Sequence, residues 1–378
     1  MRRVLLAFEP PDGGVPENVA QIALGLTSHG WHAEVAGPSD ASIYDELESV
    51  GIRVHRLPLQ RSYGRPGADL QALTKLLALL RNGSFDLVHS HAAKAGVLSR
   101  VAAFATETPS LYSPHCFAFA GRLQWPMRPI ATGIERLLGR LGGDILCVCE
   151  SERELALRAH VAPPKRLHVV YNGAQDCPAE RQPDATMASM RARGPLAGAV
   201  AALRPQKSLE TLIDATPLVL ARVPQAGVAI VGNGPLHEQL QARARRLGLD
   251  RDERFALLEF TPPASRQTQA LDVYVLPSAW EALPIGVLEA LACGVPQVVS
   301  DVGGNREAVT SATGTLVSPG DPRELADAIV ELLSDPVRRS AASKASRRRH
   351  AERFTVARMV AETAALYDSV LARASVGD

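Results

Sequence analysis

Residues 3–36 read RVLLAFEPPDGGVPENVAQIALGLTSHGWHAEVA. A short apolar run over 3–8 is followed by a turn with paired glycines, a segment of helical period over 16–29, and a second strand-length run over 32–36. Strand, helix and strand at this spacing form a βαβ unit, whose two strands lie parallel in one sheet. The rhythm continues outward. Residues 86–90, 110–113, 144–149 and 167–171 are further strand candidates separated by helical segments, each suited to the buried layer of a doubly wound sheet.

Around 176–193 the pattern lapses into Pro178, Pro183, Gly194 and Pro195 with scattered charge, and a new series then opens. Its strand candidates are 197–203, 227–231, 255–260, 273–276 and 297–300; after Pro322 the text is helical, closing in an amphipathic segment over about 355–372. The expected class is α/β with two doubly wound, Rossmann-like domains. The expected divisions are an amino-terminal domain over 1–176, a linker over 177–195, a second domain over 196–354, and a final helix over 355–378 that returns to the first domain.

Composition narrows the function. A chain of 378 residues with 46% apolar and 21% charged residues has the profile of a folded two-domain protein. Lys and Arg number 41 against 40 Asp and Glu, a formal charge of +1, so no field spans the surface to hold nucleic acid, and aromatic residues at 4% give few stacking platforms. Any basic site is local. Five cysteines at 116, 147, 149, 177 and 293 show no metal-ligand or redox spacing, and the odd count argues against a closed disulfide framework and for a reducing, cytoplasmic setting. Glu9, Pro10, Pro11 and Asp12 interrupt the first apolar run, which reads as a strand and not an export signal; no run has the length of a membrane span.

The chemistry concentrates in SAWEALPIGVLEALACGVPQVVSDVGG, residues 278–304. Pro284 suits a helix start and Gly294 a helix stop. The helix between them is apolar on nearly every side yet carries Glu289, a carboxylate expected to be buried and therefore in need of partners, which a ribose diol or the protein's own backbone or arginine could supply. Glu281 stands just ahead, and the N–H groups around Ala282, Leu283, Pro284 and Ile285 face outward at the helix start. A second signal is AALRPQKS, where Arg204 and Lys207 follow a strand and precede a helix, a place that grips a diphosphate. Gly13 and Gly14 in PDGGVP let backbone N–H groups approach a phosphate or sugar, although a plain tight turn has the same spelling. His89, His91 and His115 fall at predicted strand ends, where they line a ligand crevice or, for His89 in particular, belong to the core.

Two spellings are read as decoys. Gly232 and Gly234 lack the third glycine of a dinucleotide fingerprint, and Asp250 with Asp252 lies in a polar turn despite its DxD spelling. No metal site is expected.

Taken together, EALPIGVLEALACGVPQVV, GGVPENVAQIALGLTSHGW, DLVHSHAAKAGVLSRVAA, VVYNGA, VGNGPLHEQL and SDVGGNREAV resemble, in order and over nearly the whole chain, the retaining glycosyltransferases of family 4. That resemblance implies the GT-B architecture, with the two domains facing an interdomain cleft, and transfer of a sugar from a nucleotide-diphosphate donor to a hydroxyl acceptor with retention, without metal or other cofactor. It implies that Glu281 contacts the sugar hydroxyls, Glu289 the ribose, Lys207 the leaving diphosphate, and Gly13 and Gly14 the phosphates or sugar, with His115 as the cleft histidine. UDP- or GDP-sugars are the implied donors, and a carbohydrate, lipid-linked or small-molecule acceptor sits on the first domain, for polysaccharide, glycolipid or glycoconjugate synthesis. The sequence departs from the family at Ala202 (for arginine), Ala282 (for glycine), Leu283 (for an aromatic) and Cys116 (for glycine).

Two alternatives share the plan: a nucleotide-sugar 2-epimerase and a non-catalytic nucleotide-sugar binder. Residues 117–143 combine Phe117, Phe119, Trp125 and Met127 with Arg122, Arg128, Arg136 and Arg140 against Glu135 alone. They read either as a helix lying on the inner face of a membrane or as a hairpin packed on the first domain.

Overall fold

The computed structural model describes residues 1–59, 66–121, 126–179 and 184–376. Its chain forms two compact units: one of Met1–Gly173 with Val356–Asp378, the other of Ala174–Thr355. The first holds a seven-stranded sheet built from β1 (Arg2–Phe8), β2 (Trp31–Pro38), β3 (Val54–Leu57), β4 (Leu87–His91), β5 (Ser110–Ser113), β6 (Asp144–Cys147) and β7 (Leu167–Val169). They lie in the order β3-β2-β1-β4-β5-β6-β7, and every pairing is parallel. The second holds β8 (Leu196–Val200), β9 (Gly227–Val231), β10 (Phe255–Leu258), β11 (Val273–Leu276), β12 (Gln297–Ser300) and β13 (Gly314–Val317). Their order is β10-β9-β8-β11-β12-β13, again all parallel. Two doubly wound sheets are the expected class.

In each sheet the strand order reverses beside the first strand, between β1 and β4 and between β8 and β11. Loops leaving such a point diverge to opposite faces and open a crevice at the carboxyl edge, where doubly wound folds bind ligands. The crossover helices supply the core. In the second unit Leu212, Ile213 and Val219 of one helix and Ile329 and Leu332 of another pack with Val228, Ile230 and Val275. In the first, Val19, Ile22, Leu26 and Leu47 pack with Val4, Leu6 and Val35, and the final helix Val356–Val376 adds Met359, Ala364, Tyr367 and Val370.

Three expectations need correction. Residues 177–195, read as a linker, contain a helix, Ala185–Arg193; Asp184 caps it by accepting the N–H groups of Thr186 and Met187, and Met187 and Met190 are buried. The prolines and glycine that suggested a loop stand at its edges; Pro183 lies outside the described residues. Second, Cys177 and Cys293, 116 residues apart, form a disulfide with Cα atoms 4.9 Å apart. An odd count leaves three thiols, of which Cys147 and Cys149 are buried and Cys116 half-buried, so it never excluded one bridge. Third, Phe117 and Phe119 stack at 5.0 Å inside the first unit and are not interfacial. Arg122 and Trp125 lie outside the described residues. Among the described residues no helix is long and apolar enough to cross a membrane.

Candidate active site

The second unit gathers its polar side chains at the reversal point. β8 ends at Val200, and the loop beyond it is pinned to the β9 loop, Ala201 donating its N–H to Val231 O at 3.0 Å and Leu203 to Asn233 O at 2.9 Å. Gly232 and Gly234 thus serve the support of this loop. Arg204, half-buried and extended, opens the 3-10 turn Pro205–Lys207. Lys207 Nζ then reaches Glu281 Oε1 at 2.6 Å, across from the β8 loop to the β11 loop.

Glu281 is the focus of that contact. Ser278 Oγ donates to Glu281 Oε1 at 2.7 Å, and Gln206 Nε2 donates to Oε2 at 3.0 Å and to Trp280 O at 3.2 Å. Ala279 returns an N–H to Gln206 O at 2.9 Å. The Glu281 side chain is 4% exposed and that of Lys207 17%. A buried carboxylate needs such partners, and here it has a cation, a hydroxyl and an amide. The β12 loop closes the arrangement from behind. At Gly303, with φ of 48°, a Cβ would fall 2.0 Å from Glu281 O, so only glycine lets the backbones approach this closely.

The helix expected from Pro284 spans Ile285–Cys293; Pro284 precedes it in extended conformation and Gly294 stops it in the left-handed region. Ala282, Leu283, Pro284 and Ile285 are buried and lead from Glu281 into its first turn, where Val287 donates its N–H back to Pro284 O at 3.1 Å. Glu289 is half-buried on this helix, where a buried carboxylate was expected. The Glu281 side chain is 4% exposed, because the loop ahead of the helix folds it inward onto Lys207. Burial first, then the nearby charges of Glu289 and Glu281, push the Tyr274 phenol well above its ordinary range. Its hydroxyl donates to Val200 O at 3.3 Å, tying β11 to β8 beneath the loops.

The first unit presents a separate group. Gly13, at φ 94° with nothing within 4 Å of an added Cβ, turns the chain from β1 into the helix Gly14–Gly25, a backbone that side-chain-bearing residues rarely adopt. His89 and His91 are fully buried and do not line an open crevice, whereas His115 at the end of β5 is half-buried. His91 Nδ1 and His115 Nε2 share a hydrogen bond of 2.9 Å, and His89 bonds Tyr367 Oη and Ser113 Oγ. Burial lowers the pKa of His115 to about 4 and those of His89 and His91 well below their usual value, so all three are neutral near pH 7. Glu152 is a residue the sequence reading missed. Its carboxylate accepts the N–H groups of Cys116 at 2.6 Å and Val148 at 2.9 Å, and burial raises its pKa to about 7 against those bonds. Ser278 and Gln206 were also missed, although each sits within three residues of a singled-out charge.

Asp252 bonds its neighbour Arg254 at 2.7 and 2.9 Å, so the DxD spelling is a turn. Among the described residues no group of three His, Cys, Asp or Glu side chains could hold a metal ion.

Residues 13–173 match the family model described as a glycosyl transferase 4-like domain, and residues 194–335 the one described as glycosyl transferases group 1. The chain is 28% identical over 368 residues to a GDP-mannose-dependent alpha-(1-6)-phosphatidylinositol monomannoside mannosyltransferase of Mycobacterium tuberculosis, covering 92% of this chain and 93% of that one. It is 26% identical over 278 residues to the UDP-Gal:alpha-D-GlcNAc-diphosphoundecaprenol alpha-1,3-galactosyltransferase of Escherichia coli, covering 71% and 72%. In fold it is similar to Anabaena HepE in complex with UDP and glucose, with a TM-score of 0.81 and 22% identity over 98% of this chain and 100% of that one. Sucrose-phosphate synthase from Thermosynechococcus elongatus gives the same TM-score, identity and coverage.

Proposed function

We propose, from the premise that this chain belongs to the family 4, group 1 glycosyltransferases of GT-B fold, a specific division of labour at its donor site. The protein is a glycosyltransferase that uses a nucleotide-sugar donor, and the epimerase alternative is not favoured, since the relatives are named as sugar transferases. The finer reading is transfer with retention, as in the family, and without a metal ion; the observation that supports the metal-free part is the Lys207–Glu281 pair at the strand-order reversal of the second sheet, which sets a cation where a diphosphate would depart.

Counting donors and lone pairs explains why that pair suits a sugar diphosphate. An ionised carboxylate offers about four acceptor sites and an ammonium three donors. Lys207, Ser278 and Gln206 take three sites on Glu281, which leaves one on Oε2 for a sugar hydroxyl; Lys207 spends one donor on Glu281 and keeps two for phosphate oxygens. As the C1–O bond to the diphosphate breaks, negative charge grows on the leaving oxygen, where the Lys207 ammonium and the N-terminus of Ile285–Cys293 meet it. The acceptor oxygen forms the new bond to C1, and its proton leaves with the diphosphate. Arg204 on the same turn and Glu289 for the ribose complete the set within the second unit.

For the acceptor we favour a lipid-linked sugar at the cytoplasmic face of a membrane, in keeping with the lipid-linked acceptors named for the relatives. The helix Met127–Arg140 supports this: Met127, Ile130, Ile134 and Leu137 are exposed at successive turns of one face, and Arg136 and Arg140 flank them. Arg136, Arg140, His160 and Arg166 also line one pocket that has no acidic residue. A basic flank beside an apolar stripe suits an anionic bilayer surface.

The test is incubation with a panel of UDP- and GDP-sugars and lipid-linked acceptors, in EDTA. The expected outcome is a mass increase on the acceptor, free nucleoside diphosphate, and a product anomer of the donor's configuration by NMR. An altered donor sugar in the absence of acceptor, or activity only with added divalent metal, contradicts the reading.

A further inference from the structure

We propose that His91 is a positioning residue that fixes the tautomer of His115, so that His115 presents its Nδ1–H as a hydrogen-bond donor to a ligand oxygen. The inference rests on the glycosyltransferase reading only for the identity of that ligand.

The two imidazoles are joined by one hydrogen bond, His91 Nδ1 to His115 Nε2 at 2.9 Å, with ring centroids 5.2 Å apart. Both rings are neutral, so each carries a single proton, and one ring donates while the other accepts. The other nitrogen of His91 decides the direction. His91 Nε2 is buried and has no hydrogen-bond partner among the described residues. Were His115 the donor, His91 would accept at Nδ1 and carry its own proton on Nε2, a buried N–H without an acceptor. In the opposite arrangement His91 donates from Nδ1 and leaves a bare lone pair at Nε2. A buried N–H left without an acceptor is the rarer defect of the two. His91 is therefore the donor, His115 Nε2 the acceptor, and the His115 proton resides on Nδ1.

The surroundings hold this arrangement in place. His89 and His91 alternate on β4 and face the same side, with ring centroids 4.0 Å apart. His89 is itself fixed, Nδ1 to Tyr367 Oη at 2.6 Å and Nε2 to Ser113 Oγ at 2.8 Å. Beyond β5 the backbone takes φ of 51° at His115 and 96° at Cys116, left-handed values for two successive side-chain-bearing residues. Such a conformation persists only where its surroundings impose it. Glu152 does so through the Cys116 N–H. His115 Nδ1 meets no partner among the described residues, and the residue is half-buried, so this is the nitrogen a ligand can reach. In this tautomer Nδ1 already carries its proton. It offers a hydroxyl or phosphate oxygen a hydrogen bond and does not act as a proton-accepting base.

The test is side-chain two-bond 1H–15N correlation on the full-length protein labelled with 15N-histidine at pH 7.5, with His115→Gln to assign the signals. The expected spectrum shows a protonated Nδ1 and an unprotonated Nε2 for His115. In His91→Phe the protonated nitrogen should change to Nε2, with about a tenfold fall in kcat and little change in donor KM. His91→Asn, whose amide N–H can replace the lost donor, should restore both. An Nε2–H tautomer in the unaltered protein, or an unchanged tautomer in folded His91→Phe, overturns the proposal, and if His91→Phe does not fold the unaltered spectrum alone decides. Failure of the glycosyltransferase reading would appear separately, as absent transfer with the spectrum intact.

Discussion

The ammonium of Lys207 and the carboxylate of Glu281 meet at 2.6 Å although 74 residues separate them, joining the loops that leave β8 and β11. Removing one partner leaves the other buried charge without its main counterpart. Lys207→Ala and Glu281→Gln should each lower kcat/KM by on the order of 10²–10³, the usual loss for one transition-state donor. The double variant should lose far less than the product of the two, since contacting residues act as a unit. Steady-state kinetics of all three forms checks this; multiplicative losses would show that the two side chains act independently.

Glu152 makes stability depend on pH. Its folded pKa of about 7 lies above the ordinary 4.5, so the folded state holds a proton that the unfolded chain has released. The stability this contributes is complete below about pH 4.5 and disappears as pH rises through 7, a change on the order of 3 kcal/mol. Glu152→Gln copies the protonated form and does not titrate. Tm of the unaltered protein should therefore fall relative to Glu152→Gln between pH 5 and 8; parallel profiles would refute the shift.

Arg100 and Glu135 form a buried ion pair at 2.8 Å, both side chains 4% exposed, with Tyr112 Oη donating to the same carboxylate at 3.1 Å. It fastens the inner face of the helix Met127–Arg140. Glu135→Ala leaves a buried guanidinium uncompensated and should cost roughly 3–5 kcal/mol by urea unfolding. A loss below about 1 kcal/mol would mean that water reaches Arg100.

The Cys177–Cys293 bridge closes a loop of 116 residues, so its removal should cost up to about 5 kcal/mol in the chain-entropy account. Cys177→Ser should lower Tm in oxidising buffer and leave it unchanged in excess reductant. Thiol titration of the unfolded protein should count three thiols before reduction and five after. Five thiols at the outset would show that the bridge does not form.

In vesicle sedimentation the protein should bind anionic vesicles more tightly than neutral ones, and Ile134→Ser with Leu137→Ser should abolish that binding without changing Tm by more than a degree or two. Equal binding by the variant would remove the helix Met127–Arg140 from the interface.

Legibility in the sequence followed burial. Gly227–Val231, Val273–Leu276 and Gln297–Ser300 lie in the second sheet, buried throughout, and their short uniform runs are visible without a structure. β3 and β13 were missed; both are edge strands of four residues, β3 with a charged, exposed Arg56 beside a His55 bonded to Glu34, and β13 with only its end residues buried. In β3 His55 and Arg56 interrupt the apolar run, and in β13 Gly314 and Thr315 leave too short a run to stand out. At the candidate site the charges Lys207 and Glu281 stood out, but the satisfaction of Glu281 by Ser278 and Gln206 depends on loop conformation, which spacing does not encode. The disulfide was invisible for the same reason: residues 177 and 293 meet only once the second unit has folded.

The chain leaves the first unit at Gly173 and returns at Val356, and the last helix then places Tyr367 against Trp31 and His89. During synthesis the half made first is therefore finished last. Its core waits, with the Trp31 and His89 surfaces uncovered, until the helix Val356–Val376 clears the ribosome, while the second unit already has all of its own strands. A nascent chain stalled before Val356 would carry a completed second unit and an unsealed first one, the form on which a chaperone would act.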